Sequence, residues 1–166
     1  MIKYLDKFVV MEEIPDEVTL ALNITNCQNN CVGCHSPELR ANIGTELTTD
    51  EIDRLIEEND GISCVCFMGE GNDEEMLAIL VTHIREKYLY KYKIAIYSGR
   101  DEVSDWYWKV FDYIKLGPYK EEFGPLNKET TNQRLYEHRC ASALGGDFDN
   151  PLKRNWFDIT NKFWDR

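Results

Sequence analysis

Val18-Thr19-Leu20-Ala21-Leu22-Asn23-Ile24-Thr25, running into Asn26-Cys27-Gln28-Asn29-Asn30-Cys31-Val32-Gly33-Cys34, is the stretch on which the reading of the chain turns. Residues 18–25 alternate and are rich in β-branched side chains, the pattern of a strand. Its C-terminal end delivers a loop in which three of the six cysteines fall within eight residues, at spacings x3 and x2. The other loop side chains are small or polar, so three thiolates can fold onto one point. Three soft ligands suit an iron–sulfur centre or zinc, and a structural zinc needs a fourth. His35, Cys64, Cys66 and Cys140 are the candidates for it, and none completes the paired C-x2-C units of a zinc ribbon. A redox pair of Cys31 and Cys34 leaves Cys27 without a role. The spacing favours a cluster with one open iron, and the zinc, redox and structural readings stay open.

Outward from this loop, the 166 residues, 43% hydrophobic and 12% aromatic, suffice for one domain with a sizeable core and are few for two. No apolar stretch approaches a membrane span, and Met1-Ile2-Lys3-Tyr4-Leu5-Asp6 lacks a signal-peptide core. The expectation is a soluble, cytoplasmic protein with no membrane partner, where close thiols mean metal or redox chemistry more than disulfides. A net charge of −11 argues against a nucleic-acid partner, whose phosphates call for a basic face.

Before the loop, residues 2–14 contain Phe8-Val9-Val10-Met11, a first or edge strand. After it, Thr48-Thr49-Asp50-Glu51 opens a helix by a capping arrangement, with Ile52, Leu55 and Ile56 on one face. A strand from Gly61 to Met68 ends in Gly69-Glu70-Gly71-Asn72, and a helix with Met76, Leu77, Leu80 and Ile84 at helical spacing follows. Lys93–Tyr97 is a strand ending in Ser98-Gly99-Arg100. A short helix around Val103–Phe111 leads to a strand Tyr113–Leu116 that ends in Gly117-Pro118-Tyr119. Strands alternating with helices predict right-handed βαβ units and a parallel sheet, open or curled into part of a barrel, with the ligand site at the carboxyl ends of its strands. The cysteine, Gly-Glu-Gly, Ser-Gly-Arg and Gly-Pro-Tyr loops then gather on one rim. Beyond residue 120 the periodicity fades, with turns at Gly124-Pro125 and Gly145-Gly146, and this tail is a candidate for docking a partner.

Gly69-Glu70-Gly71 lets backbone approach a ligand closely and offers a carboxylate to an ammonium group; alternatively it is a strand-to-helix turn capped by Asn72 or Asp73. Ser98 and Arg100 can bind a carboxylate or ribose hydroxyls, or lie in a solvated turn. Cys64 and Cys66, two apart in a strand, face one side and read as small buried hydrophobes, with metal ligation as the alternative. Cys140 near His138 is a weak second site against an ordinary surface pair. His35 adjoins the cysteine loop, and His83 has no evident role.

Cys27-x3-Cys31-x2-Cys34 with His35-Ser36-Pro37-Glu38 resembles the cluster loop of radical S-adenosylmethionine enzymes. Within that superfamily it is most similar to the activating proteins of anaerobic ribonucleoside-triphosphate reductases, which typically continue Cys-His-Asn-Pro-Glu; here Ser36 replaces the Asn. Gly33 stands where the superfamily often has an aromatic residue over the adenine. Gly69-Glu70-Gly71 resembles the motif that holds the amino group of the cofactor, with Glu70 between the glycines and Asn72-Asp73 in place of a proline. Asp112–Lys120, Gly124-Pro125-Leu126 and Thr131-Asn132-Gln133-Arg134 are similar to the activators' later segments. The resemblance spans residues from about 20 to 137.

The resemblance implies a single compact radical-SAM domain over residues 1–166, built as an α/β partial (β/α) barrel of parallel strands. It implies Cys27, Cys31 and Cys34 as ligands of a 4Fe-4S cluster, and Gly69, Glu70, Gly71, Ser98 and His35 around S-adenosyl-L-methionine. No catalytic residue is implied beyond the cluster. The implied activity is an oxidoreductase that cleaves S-adenosylmethionine and generates a glycyl radical on an anaerobic ribonucleoside-triphosphate reductase, drawing electrons from a flavodoxin-type donor. The alternatives are an activase of another glycyl radical enzyme and a non-catalytic zinc-binding adaptor.

Overall fold

Four strands buried on both faces form the centre of the sheet, numbered here with their neighbours in chain order. In β2 (Thr19–Ile24), Leu20, Leu22 and Ile24 are buried on one side and Thr19 and Ala21 on the other. β4 (Cys64–Met68), β5 (Lys93–Tyr97) and β6 (Tyr113–Leu116) repeat the pattern. Strands covered on both faces are characteristic of parallel sheets, and these four lie side by side in parallel. The structure, a computed structural model, describes residues 1–140, 146 and 150–164.

The sheet as a whole is mixed, which corrects the expectation of parallel strands throughout. β1 (Lys3–Val10), β3 (Thr45–Glu46), β7 (Arg134–His138) and β8 (Trp156–Asp158) complete an open eight-stranded sheet in the order β3-β1-β2-β4-β5-β6-β7-β8. Its three central pairings are parallel and its four outer pairings antiparallel. The reason lies in the connections: residues 11–18 and 117–133 join β1 to β2 and β6 to β7 without an α-helix. A strand that follows its neighbour without a crossover element returns antiparallel.

All three helices cover one face. In α1 (Thr49–Glu57) the Thr48 side chain accepts a hydrogen bond from the Glu51 amide at 3.1 Å, and Ile52, Leu55 and Ile56 are buried. In α2 (Glu74–Tyr88) the cap is Asp73, which accepts from the Met76 amide at 2.9 Å, and Leu77, Leu80, Val81 and Ile84 turn inward. α3 (Tyr107–Val110) is shorter than the expected span and buries Tyr107 and Trp108. These side chains pack on Leu20, Leu22, Val65, Phe67, Ile94, Ile96 and Ile114. The opposite face carries Cys64, Cys66, Ala95, Tyr113 and Leu135, closed over at this end by Ile14, Ile159 and Phe163.

Among the described residues no helix is long and apolar enough to cross a membrane. The turn expected at Gly145-Gly146 falls partly outside the described residues; the Gly146 amide donates to the Arg154 carbonyl at 2.8 Å.

Candidate metal and cofactor site

The cysteine loop is tied down from its first residue. As β2 ends, the Asn26 amide donates to Ala41 and the Cys27 amide to Leu39, both at 3.0 Å, so the loop entrance is zipped to the short 3₁₀ turn Pro37–Arg40. At the far end Gly33, at φ 72°, lets the chain turn so that the Cys34 amide reaches the Cys31 carbonyl at 3.3 Å. Arg40 donates to that same carbonyl at 2.7 Å. Backbone contacts thus set the loop's shape and leave the thiols uncommitted, the one polar contact being Cys27 Sγ to the Asn29 carbonyl at 3.9 Å.

Cys27, Cys31 and Cys34 are half-buried and line one cavity of about 170 Å³. Its other walls are the ends of the central strands: Met68 and Gly69–Gly71 after β4, Gly99 and Arg100 after β5, and Tyr119 beyond β6. The four loops expected on one rim do meet there. Gly99 lies close against the cysteine loop, since a Cβ at that position would meet the Asn29 side-chain amide, which would have to shift. Gly71 has φ 63°, and a Cβ there would sit 3.3 Å from Ile24 Cγ2 and 3.4 Å from the Thr25 carbonyl. The glycines after β4 therefore let that turn press against the end of β2 beside the cavity, while Asp73 caps the helix that follows, so the turn reading of the motif also applies.

Glu70 is engaged within the protein. Its carboxylate accepts from the Tyr107 hydroxyl at 2.9 Å and faces Arg100 Nε at 3.3 Å. Burial and this carboxylate push the Tyr107 hydroxyl above its ordinary value, so it stays a donor. Two expected site residues lie elsewhere. Ser98 is buried and turned to its own loop, accepting from the Arg100 amide at 3.1 Å. His35 is exposed, its ring against Tyr119 with centroids 4.7 Å apart. The Thr-Asn-Gln-Arg segment, whose role the sequence leaves open, bonds to nearby backbone. Asn132 donates to the Pro118 carbonyl at 2.9 Å, and Arg134 to the Thr131 and Gln133 carbonyls at 2.7 Å.

The floor of the cavity holds two residues to which the sequence assigns no role there. Lys115 and Gln133 line it at 8% and 6% exposure. Both donate to one acceptor, the Gly117 carbonyl, at 3.0 and 3.3 Å. Burial pushes the Lys115 ammonium down to about 8, and the neighbouring Cys31 opposes that fall. The available signal was a lysine inside Tyr113-Ile114-Lys115-Leu116, a strand that must be buried on both faces, where a charge is costly.

The soft donors at the cavity are the three loop thiols. Of the four candidates for a fourth ligand, Cys64 and Cys66 lie in the core along β4, Cys140 is exposed, and the His35 ring lies tilted against Tyr119; none lines the cavity. Glu70, a carboxylate that does line it, is engaged by Tyr107 and Arg100, and three thiols suit a centre that leaves one coordination position to another ligand. As the side chains stand, no three His, Cys, Asp or Glu among the described residues are gathered to hold a metal ion, so loading requires the thiols to close in. No family model, curated protein or solved structure matches the chain.

Proposed function

We propose that this chain is a radical S-adenosylmethionine activating enzyme of the anaerobic ribonucleotide reductase type, a cytoplasmic oxidoreductase that leaves a glycyl radical on a partner reductase. The observation that carries the reading is the meeting of three loop thiols and the glycine turn after β4 in one cavity, with every other cysteine outside it. The partial (β/α) barrel of that family is the finer reading of β2, β4, β5 and β6, whose carboxyl ends open on the cavity.

Cys27, Cys31 and Cys34 would hold a 4Fe-4S cluster. When bound and reduced, here by a flavodoxin-type donor, it supplies the electron that splits S-adenosylmethionine into methionine and a 5′-deoxyadenosyl radical, which takes a hydrogen atom from the target glycine. The chain's own part is binding and orientation. Backbone groups of Gly69–Gly71 face the cavity at the place suited to the methionyl end of the cofactor, and Glu70, braced by Tyr107 and Arg100, keeps that turn in shape. Val32, 82% exposed at the loop tip, and the groove along residues 118–122 flank the site where a protein substrate would dock.

The test is anaerobic reconstitution followed by metal analysis, cofactor turnover and electron paramagnetic resonance with the cognate reductase. About four irons per chain are expected, together with 5′-deoxyadenosine formed under dithionite and a glycyl radical on the reductase. Zinc in place of iron would leave a metal-binding adaptor. Cofactor cleavage without a radical on any anaerobic ribonucleotide reductase of the same organism would point to a different glycyl radical partner.

A further inference from the structure

Lys115 carries a burial cost that no described side chain repays. Its side chain stands on the face of β6 that also carries Tyr113, so it points to the side of the sheet where the cavity opens. The ammonium meets one carbonyl, Gly117 at 3.0 Å, and the ring of Tyr97 at 5.9 Å, and among the described residues no carboxylate pairs with it. A buried ammonium with one neutral acceptor is destabilising, and an apolar side chain of similar length would serve the core better. The other cations at the cavity are placed differently. Arg100 faces Glu70, and Arg40 is half-buried with its guanidinium on the Cys31 carbonyl. Lys115 is the deeply buried one, and it lines the same cavity as Cys27, Cys31 and Cys34. Charges removed from solvent are screened least.

We propose that Lys115 is the internal counter-charge of the cysteine loop, placed to hold anionic sulfur, whether free thiolates or a centre bound by them, and to set how readily that centre accepts an electron. This deepens the proposed function and rests on it for the identity of the centre. The charge lies outside the ligand set, where a nearby cation favours the more negative state and so raises the reduction potential.

The test compares wild type with Lys115→Met and Lys115→Arg in the full chain. Iron content and midpoint potential are read by redox titration under electron paramagnetic resonance, and melting temperature is read on the metal-free proteins. Lys115→Met should reduce at a more negative potential than wild type, Lys115→Arg should stay near it, and metal-free Lys115→Met should melt at or above wild type. Loss of iron in Lys115→Met with retention in Lys115→Arg supports the same role. An unchanged potential at full iron content overturns it, as does a fall in melting temperature with no shift in potential. Should Lys115→Met fail to fold, Lys115→Gln takes its place, and failure of both means that the ammonium is structural. If wild type takes up zinc, the iron–sulfur reading falls and the series is read as zinc retention against a chelator. Weaker retention in Lys115→Met than in Lys115→Arg then supports the counter-charge, and equal retention overturns it.

Discussion

The two ends of one sheet face treat the same chemical group in opposite ways. From the amino end of β4 to its middle, Cys64 and Cys66 are wholly buried among Ile14, Ala95, Tyr113, Leu135, Ile159 and Phe163. Toward the carboxyl end the face opens, past Met68, Lys115 and Gln133, onto Cys27, Cys31 and Cys34. Burial pushes the Cys64 and Cys66 thiols well above their ordinary range, with Glu17 adding to the effect on Cys64. A thiol kept protonated by apolar neighbours is neither nucleophile nor ligand. What separates the two sets is whether the covering segments reach that far: residues 11–17 and 159–163 close one end, and at the other the loops stand apart around a cavity. Residue type indicates which groups are able to react, and packing decides which are allowed to.

The largest effect belongs to the open end. Serine at Cys27, Cys31 or Cys34 should abolish iron uptake on anaerobic reconstitution. Serine at Cys66 should leave iron uptake nearly intact and lower stability by about 1–3 kcal/mol, because it buries a hydroxyl beside Met68 and Tyr97. Iron content and chemical denaturation measured on the same samples check both halves. Iron loss in Cys66→Ser without loss of stability would erase the contrast.

A smaller effect should follow from closing the gap at the cavity wall. Gly71→Val puts a branched side chain where a Cβ alone would touch Ile24 and the Thr25 carbonyl, at a φ that strains any L-residue. S-adenosylmethionine binding, followed by equilibrium dialysis, should weaken by about tenfold or more, which corresponds to about 1.4 kcal/mol, while the iron content stays at the wild-type level. Unaltered affinity would remove this turn from the cofactor site.

The smallest effect is the pH dependence that the closed end contributes. The folded-state values of the Cys64 and Cys66 thiols lie above their unfolded ones. The stability they contribute is therefore complete below the unfolded value, near 9.0, and drains away as pH rises toward the folded values. Lys115, whose folded value lies near 8, adds stability as pH rises above it in every variant, so the check is a difference: above pH 9 the melting temperature of the metal-free wild type should fall more, or rise less, than that of the Cys64→Ala/Cys66→Ala double variant. An equal fall in wild type and double variant would assign the alkaline limit to other groups, of which Tyr97 and Tyr113 are also shifted upward by burial.

What could be read without coordinates were features settled within a few residues. The alternation of 18–25 became β2, the caps Thr48 and Asp73 open α1 and α2, and Lys93–Tyr97 and Tyr113–Leu116 are strands as expected. The spacing of Cys27, Cys31 and Cys34 on a loop after a strand put the three residues on one short segment, and they line one cavity, although their thiols are not gathered to metal-binding distance.

Only the tertiary structure decided the rest, because it depends on residues far apart in the chain. β7 and β8 carry too few buried side chains to announce themselves, and they exist because β7 pairs with β6 and Trp156 enters the core, its Nε1 donating to the Trp108 carbonyl at 3.2 Å. Ser98 left the site because the nearest unpaired group to its hydroxyl was its own turn's amide, and His35 because Tyr119 offered it a ring. Lys115 and Gln133 joined the cavity floor through a shared carbonyl at Gly117, a meeting that brings together side chains from β6 and from the residue just before β7. Local propensity acts over a turn or a strand, whereas a cavity is defined by where its walls stop, and that distance is set by every element that packs behind them.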